Sequence, residues 1–300
     1  MNSTYPPPRI IDYEGSDYQS EFWDRGGREY EDRAEQIALR RLLPDSGKFL
    51  LETGAGAGRN SPRYRKFTRI VLLDYSLSQL RLAQENLAGS DRYRFVAANI
   101  YRLPFRQGVF DGATMIRTRH HMEDAPRALE QIRQVMVPGG VFILEYANKK
   151  NLKAILRYSL GMQKWSPYSL SPVEFTDLNF DFHPRAITKW LRTNGFFVER
   201  QLTVSHYRIG MLKRLIPTSI LVGMDSLAQL TGDYFQLTPS VFVRARADGN
   251  TPINTSDSIF RCPSCGGQPL DEIPDALRCP SCSSRWAIND GIYDFRQPLD

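Results

Sequence analysis

Alternating glycines and alanines end an apolar run and form a short loop with three glycines: Gly54, Gly56 and Gly58. Glycine lets backbone N–H groups approach a ligand because no Cβ intervenes. The loop does not fit the dinucleotide fingerprint G-x-G-x-x-G/A, since Arg59 or Ser61 occupies the third small position. A G-x-x-x-x-G-K phosphate loop is absent as well. The loop is therefore either a small-ligand site of another kind or only a tight strand-to-helix turn.

The four cysteines form two C-x-x-C pairs that thirteen residues separate: Cys262, Cys265, Cys279 and Cys282. Four thiolates at this spacing suit tetrahedral Zn²⁺ in a closed structural site. A redox pair is the alternative, which the flanking Pro and Gly residues disfavour. A segment of about forty residues has too little core to fold alone, so we expect the metal to supply much of its stability. The rest of the chain has no cysteine for disulfides, which indicates a reducing compartment.

Two neighbouring histidines, His120 and His121, follow a predicted strand. An unperturbed imidazole titrates near neutrality, so either side chain could deprotonate a phenol or another hydroxyl. The alternative is a structural role, in which the pair caps the next helix or packs against the sheet edge.

The elements around these residues alternate between strand and helix. Five strands are predicted over 48–53, 70–74, 93–97, 109–116 and 141–145, and two more over 196–204 and 240–247. Helical patterns fall between most of them, for example over 125–137, where Pro138-Gly139-Gly140 ends the helix. This alternation predicts an α/β fold with a parallel, doubly wound sheet of seven strands.

Four ordered segments resemble the class I S-adenosylmethionine-dependent methyltransferases with a methyltransferase type 11-like domain. They are Glu52-x-Gly54-x-Gly56-x-Gly58, Val71-Leu72-Leu73-Asp74, Phe95-Val96-Ala97-Ala98-Asn99-Ile100, and 129–145. The resemblance is strong over about 48–147 and weaker over 180–247. It implies a Rossmann-like sheet and S-adenosylmethionine as cofactor. It also implies that Asp74 accepts hydrogen bonds from both ribose hydroxyls, that Tyr75 borders the adenine, and that Asn99 stands where an Asp often bonds the adenine amino group. The cofactor-binding residues implied are Glu52, Gly54, Gly56, Gly58, Asp74, Tyr75, Asn99, Ile100 and Arg117.

The segment from Trp286 to Ile292 is similar to the aromatic-P-I-x-D-G-I signature of small zinc-ribbon activators of tRNA and protein methyltransferases, with Ala287 in place of the Pro. The resemblance implies a β zinc ribbon that docks on the methyltransferase domain or on a partner protein. Zinc ribbons also bind nucleic acid. The last fifty residues carry four basic and seven acidic side chains, which disfavours direct RNA binding by this segment.

Four units are predicted along the chain: an N-terminal arm and lid helix (1–45), the methyltransferase domain (46–247), a linker (248–258) and the zinc ribbon (259–300). The arm either folds over the cofactor or covers its own helix with these side chains: Tyr18, Phe22, Trp23, Arg28 and Tyr30. No apolar run approaches the roughly 18 residues of a membrane span. The N-terminal residues lack the pattern of a secretory signal, so a cytoplasmic location is expected.

These features predict a methyltransferase that acts on a small or lipid-like acceptor by in-line transfer. The apolar stretch 211–230 could wall the acceptor pocket, touch a membrane surface or pack in the core. An RNA or protein methyltransferase is the second hypothesis, because basic residues cluster over 59–69 and 149–164. The third is a catalytically silent cofactor-binding scaffold.

Overall fold

A computed structural model describes residues 8–10, 12, 14–15, 27–256 and 258–299 of the 300-residue chain. Its helices are α1 (Glu29–Leu42), α2 (Leu77–Asn86), α3 (Ala125–Val135), α4 (Leu152–Ser159), α5 (Pro184–Thr193), α6 (Gly210–Leu215) and α7 (Thr218–Ala228). Its strands are β1 (Gly47–Thr53), β2 (Phe67–Asp74), β3 (Tyr93–Ala97), β4 (Phe110–Met115), β5 (Met136–Ala147), β6 (Val173–Thr176), β7 (Asn179–Asp181), β8 (Phe196–Val204), β9 (Ser240–Ala247), β10 (Asp271–Ile273), β11 (Ala276–Arg278), β12 (Arg285–Asn289) and β13 (Ile292–Asp294). Short 3₁₀ turns cover 61–63, 119–121 and 229–233.

The main sheet has eleven strands in the order β10-β11-β12-β13-β3-β2-β1-β4-β5-β9-β8, so the prediction of seven strands was wrong. The difference lies in the C-terminal segment, whose four strands continue the same sheet. Strand β13 pairs in parallel with β3, with Ile292 opposite Phe95 and Asp294 opposite Ala97. This pairing satisfies the backbone groups that β3 would otherwise leave unpaired at the sheet edge.

The sheet is mixed rather than wholly parallel, which corrects the second part of that prediction. Strands β3, β2, β1, β4 and β5 run parallel to one another. Strand β9 lies antiparallel between β5 and β8. The α/β character and the Rossmann-like architecture are confirmed.

Both faces of the central strands are buried, which is why these strands read as continuous apolar runs. Leu51 and Val71 pack on one face with Leu129 and Ile132 of α3. The alternate residues, such as Leu50 and Ile70, pack on the other face with side chains of α1 and α2. Helices on both faces thereby hold the carboxyl ends of β1, β2 and β4 in fixed positions.

The C-terminal segment shares this core. The Phe260 ring lies 5.8 Å from the Phe105 ring and 5.1 Å from that of Phe295, measured between ring centroids. The backbone N–H of Arg106 donates to the Ile259 carbonyl at 2.9 Å, and that of Phe295 to the Ala97 carbonyl at 2.7 Å. Aromatic packing and backbone pairing therefore join residues 259–299 to the larger unit.

Among the described residues, no helix has the length and hydrophobicity needed to span a membrane.

Candidate functional site

The glycine loop begins where β1 ends, and its three glycines all have a positive φ, of 64° at Gly54, 52° at Gly56 and 77° at Gly58. L-residues with a side chain rarely adopt this conformation. At Gly54, a Cβ would also lie 2.1 Å from the hydroxyl oxygen of Thr118. Glycine is thus required at Gly54 both by the turn and by the close approach of the chain that follows β4.

Asp74 ends β2 directly beside this loop. Its carboxylate accepts the backbone N–H of Gly56 at 2.8 Å and that of Ser76 at 3.1 Å. Burial raises the pKa of Asp74, and the N–H bonds from Gly56 and Ser76 oppose that rise. The carboxylate therefore ties the loop to the second strand, as expected where parallel strands end at one edge of a sheet.

A cavity opens at this edge, and most of the cofactor residues inferred from the sequence line it. These are Glu52, Gly54, Gly56, Asp74, Tyr75, Ile100 and Arg117, together with His121 of the histidine pair. Further lining residues that sequence reasoning did not single out include Arg9, Ile10, Tyr101, Thr118 and Met122. The cavity thus brings together side chains that are up to about a hundred positions apart in sequence.

Two of the inferred cofactor residues lie elsewhere. Gly58 packs below the loop, where a Cβ would come within 2.9 Å of a Leu87 methyl group. Asn99 is not among the cavity-lining residues, and its amide oxygen accepts the backbone N–H of Tyr101 at 2.8 Å. The atom that was expected to reach the adenine therefore also takes part in a local turn.

Glu52 is a buried acid at the floor of the cavity. The Ser61 hydroxyl donates to its carboxylate, and the Tyr64 hydroxyl lies 3.4 Å from the other oxygen. Burial raises the pKa of Glu52 to about 7, while Ser61, Tyr64 and the more distant Arg59 and Arg63 oppose the rise. This carboxyl group is therefore poised to change its charge close to neutral pH.

Arg117 follows β4 with a positive φ of 59°, an uncommon backbone conformation for a residue that is not glycine. Its Nε donates to Glu35 at 2.7 Å, and Arg59 binds the other oxygen of the same carboxylate at 2.9 Å. Burial alone would raise the pKa of Glu35, but the two guanidinium groups outweigh burial and hold this pKa below its ordinary value. The sequence analysis did not single out Glu35. The signal that could have found it is an acidic residue among the apolar positions of α1.

His121 presents its imidazole to the cavity in one tautomer. Its Nδ1 lies 3.1 Å from the Leu178 carbonyl oxygen. Since a carbonyl only accepts, Nδ1 carries the proton and Nε2 has the lone pair in the neutral ring. Burial lowers the pKa of His121, which favours the neutral ring. The side chain of His120 lies outside the described part of the structure.

Two described residues of the N-terminal arm, Arg9 and Ile10, line the cavity. The backbone N–H of Arg9 donates to Glu123 at 2.8 Å, and its guanidinium pairs with Asp177 at 2.6 Å. Glu14 accepts a hydrogen bond from the Ser76 hydroxyl at 3.0 Å. Of the residues proposed for a lid, Tyr18, Phe22 and Trp23 lie outside the described residues.

The two other lid candidates, Arg28 and Tyr30, do not line the cavity in the described structure. Tyr30 is buried, and its hydroxyl donates to Asp225 of α7 at 3.1 Å. Tyr30 therefore packs its own helix against α7.

The four cysteine sulfur atoms converge, all within 4.8 Å of one another. Cys262 and Cys282 have their sulfurs 3.7 Å apart, and Cys265 and Cys279 have theirs 3.5 Å apart. Four ligands at the Zn–S distance of about 2.3 Å from a tetrahedral centre would be about 3.8 Å apart. The cluster is thus compatible with a metal site of that size.

Comparison with known proteins places this geometry in context. Residues 51–144 match the family model described as a methyltransferase domain. A solved S-adenosylmethionine-dependent methyltransferase of Thermotoga maritima has the same fold, with a TM-score of 0.51 at 18% identity over 78% of this chain and 97% of that one. The protein is a methyltransferase with the fold of the S-adenosylmethionine-dependent enzymes.

Curated relatives of this methyltransferase differ in their named acceptors. The demethylmenaquinone methyltransferase of Clavibacter sepedonicus is 27% identical over 52% of this chain and 69% of its own. An O-methyltransferase of Pyrenophora dematioidea is 30% identical over 34% of this chain and 40% of its own. The chain thus spans less than half the length of this second relative.

Proposed function

We propose that this methyltransferase methylates a hydroxyl-bearing small or lipid-like molecule. The observation that carries the proposal is His121, whose Nδ1 bonds the Leu178 carbonyl at 3.1 Å while the ring lines the cavity beside the glycine loop. An imidazole held in this way offers Nε2 as a proton acceptor. The names of the relatives, an O-methyltransferase and a demethylmenaquinone methyltransferase, support an acceptor of this class.

The residues of the cavity suit S-adenosylmethionine, which supplies an electrophilic methyl group. In our proposal Asp74 accepts hydrogen bonds from the ribose. The backbone atoms of the loop from Gly54 to Gly56 lie against the cofactor, and Tyr75 and Ile100 flank the adenine. Glu52 and Arg117 line the same cavity and would face the methionine portion. For Asn99, the bond to Tyr101 supports a role in the local turn.

The transfer step requires little covalent chemistry from the protein. When bound, S-adenosylmethionine would supply the methyl group to the acceptor oxygen and would depart as S-adenosylhomocysteine. The acceptor proton passes to Nε2 of His121, which then releases it to solvent. The cavity walls would position the acceptor and exclude water.

Two measurements test this proposal. Calorimetric titration should detect binding of S-adenosylmethionine and S-adenosylhomocysteine, and transfer of a tritiated methyl group should be found in a panel of phenols and quinols. The variant His121→Gln should retain cofactor binding and lose roughly a hundredfold or more of the transfer rate, and His183→Gln serves as the control. Binding without transfer to any acceptor would favour the silent scaffold, whereas full activity of His121→Gln would exclude the base assigned here.

We further propose that the cysteine cluster binds one structural zinc ion and that residues 259–300 form a zinc ribbon after a linker over 248–258. The sulfur spacing supports this, as do two equivalent turns, in which Gly266 N–H donates to the Cys262 carbonyl at 2.8 Å and Ser283 N–H to that of Cys279 at 2.9 Å. Zinc would fix these turns and so the segment that carries β13. Metal analysis of the purified protein should find one zinc per chain.

A further inference from the structure

Helix α4 exposes apolar side chains instead of burying them. Of its eight residues only Ala154 is buried. Leu152 and Leu156, one turn apart, are exposed, with Leu156 at 53%. Lys153 and Arg157 form a second exposed row beside them. The outer face of α4 is therefore both apolar and basic.

Helices α6 and α7 repeat this arrangement. In α6 no residue is buried, and Met211 and Leu215 are exposed one turn apart, with Leu215 at 73%. Helix α7 buries one side against α1 and exposes an apolar row at a spacing of four and three residues: Ile220, Met224 and Leu227. Pro217 separates the two helices and so gives each its own outward row.

The three helices lie at the same end of the sheet, where β5 and β8 end and β9 begins. Strand β9 is antiparallel to both β5 and β8, so the end of β5, the end of β8 and the start of β9 lie together. Helix α4 follows β5, and α6 and α7 connect β8 to β9. The N–H of Leu152 also donates to the Leu237 carbonyl at 2.8 Å, just before β9. This is the edge at which the cofactor cavity opens, since β5 is parallel to β1 and β4.

The charge on these helices has one sign. Helices α4 and α6 have no acidic residue, and the single acid of α7, Asp225, is buried and bonded to His206 at 2.7 Å. Exposed cations remain at Lys153, Arg157 and Arg214. We use the name carboxyl-edge surface for these three cations and the following apolar residues: Leu152, Leu156, Met211, Leu215, Ile220, Met224 and Leu227.

We propose that the carboxyl-edge surface binds the protein to an anionic lipid bilayer. Exposed apolar rows flanked by lysine and arginine are the features by which helices settle into the headgroup region. Several exposed apolar side chains gathered at one end of a sheet mark an interaction site. The charge argues against a second copy as the occupant, because a two-fold interface would bring these cations against one another.

Bilayer binding goes beyond the function proposed above, and its use rests on that function. The surface lies at the sheet edge where the cavity opens, so a bound protein would take a lipid-like acceptor from the bilayer without releasing it into water. The acceptor would then enter past the same edge that holds His121 and the glycine loop.

The test is flotation of the full-length protein with vesicles, in the absence of cofactor. Phosphatidylcholine vesicles containing phosphatidylglycerol should carry the protein to the top of the gradient, and phosphatidylcholine alone should carry much less. Each basic residue removed should lower the partition coefficient about fivefold, so Lys153→Glu with Arg157→Glu should lower it at least 25-fold. The double variant Leu156→Asp with Leu215→Asp should abolish flotation.

Matched controls are Phe197→Asp and Lys189→Glu. Phe197 is 64% exposed at the start of β8, which lies at the opposite end of the strands from the cavity. Lys189 is exposed on α5. Both should float like the wild type. Failure of the wild-type protein to float, equal flotation of the double variants, or a sedimentation dimer that the same substitutions dissociate would overturn the proposal. The vesicle assay needs no cofactor, so it tests bilayer binding independently of the proposed function. Calorimetry with S-adenosylhomocysteine on each variant tests cofactor binding separately.

Discussion

The pKa of Glu52 predicts a loss of stability as the pH rises toward neutrality. Only 4% of this residue is exposed, and burial raises the pKa of its carboxyl group from 4.5 to about 7. In the unfolded chain the same carboxyl group is in water, and its pKa has its ordinary value. Between these two values the native state holds a proton that the unfolded state has released. The free energy of unfolding must therefore fall as pH rises through this window.

The magnitude follows from the size of the shift. One pKa unit corresponds to about 1.4 kcal/mol, so the contribution of Glu52 to stability should fall by about 3 kcal/mol over the full window. The contribution of Glu52 is fully present below the pKa that this group has in the unfolded chain. It is lost above the pKa that the group has in the native state. Asp181, whose pKa burial raises to about 6, adds a loss of the same sign. A comparison that isolates Glu52 is therefore needed.

The variant Glu52→Gln provides that comparison, because glutamine keeps the shape and an oxygen for the Ser61 hydroxyl but does not titrate. Urea unfolding of both proteins, followed by circular dichroism between about pH 5 and about pH 8, yields the difference in unfolding free energy at each pH. Wild type should lose about 2–3 kcal/mol relative to Glu52→Gln across this range. A difference that stays constant with pH would show that Glu52 titrates normally in the native protein and would refute the reasoning.

Three further predictions concern the cofactor cavity and the cysteine cluster. Asp74→Asn should weaken binding of S-adenosylhomocysteine by about 1–3 kcal/mol. Wild type should bind a 2′-deoxyribose analogue more weakly than S-adenosylhomocysteine, and the variant should not discriminate between the two. Equal discrimination by both proteins would show that Asp74 does not bind the ribose. Gly54→Ala should abolish cofactor binding in calorimetry, because the new methyl group meets Thr118 and φ is positive there; retained affinity would show that the loop can rearrange. Cys279→Ser should lower the zinc content below one per chain and destabilise 259–299 in hydrogen exchange, and unchanged metal content would contradict the zinc assignment.

Several parts of the site were predictable because their signals are local. The glycines of the loop lie at the end of β1, and Asp74 lies at the end of β2 at the spacing of a βαβ unit, so their meeting follows from strand order alone. The C-x-x-C pairs likewise carry their turn geometry within a few residues. These features need no knowledge of what packs around them.

Other features required the assembled fold. Glu35 reaches Arg117 across 82 positions, and the sequence offered no signal for that pairing. Asn99 has the residue type for adenine recognition, yet it does not line the cavity in the described structure, and its oxygen accepts a nearby backbone N–H. The count of strands was wrong for a related reason, since short strands in the C-terminal segment joined the edge of β3.

The sequence by itself determined the methyltransferase class, the position of the glycine loop and the grouping of the cysteines, because each depends on spacing along the chain. Only the tertiary structure decided which faces are buried. The periodicity of 211–230 marks an apolar row, but burial depends on a neighbouring element to cover it, and the fold leaves Leu215 and Leu227 exposed. Burial also sets the pKa of Glu52, and the Leu178 carbonyl sets the tautomer of His121; both depend on groups that only folding brings into contact.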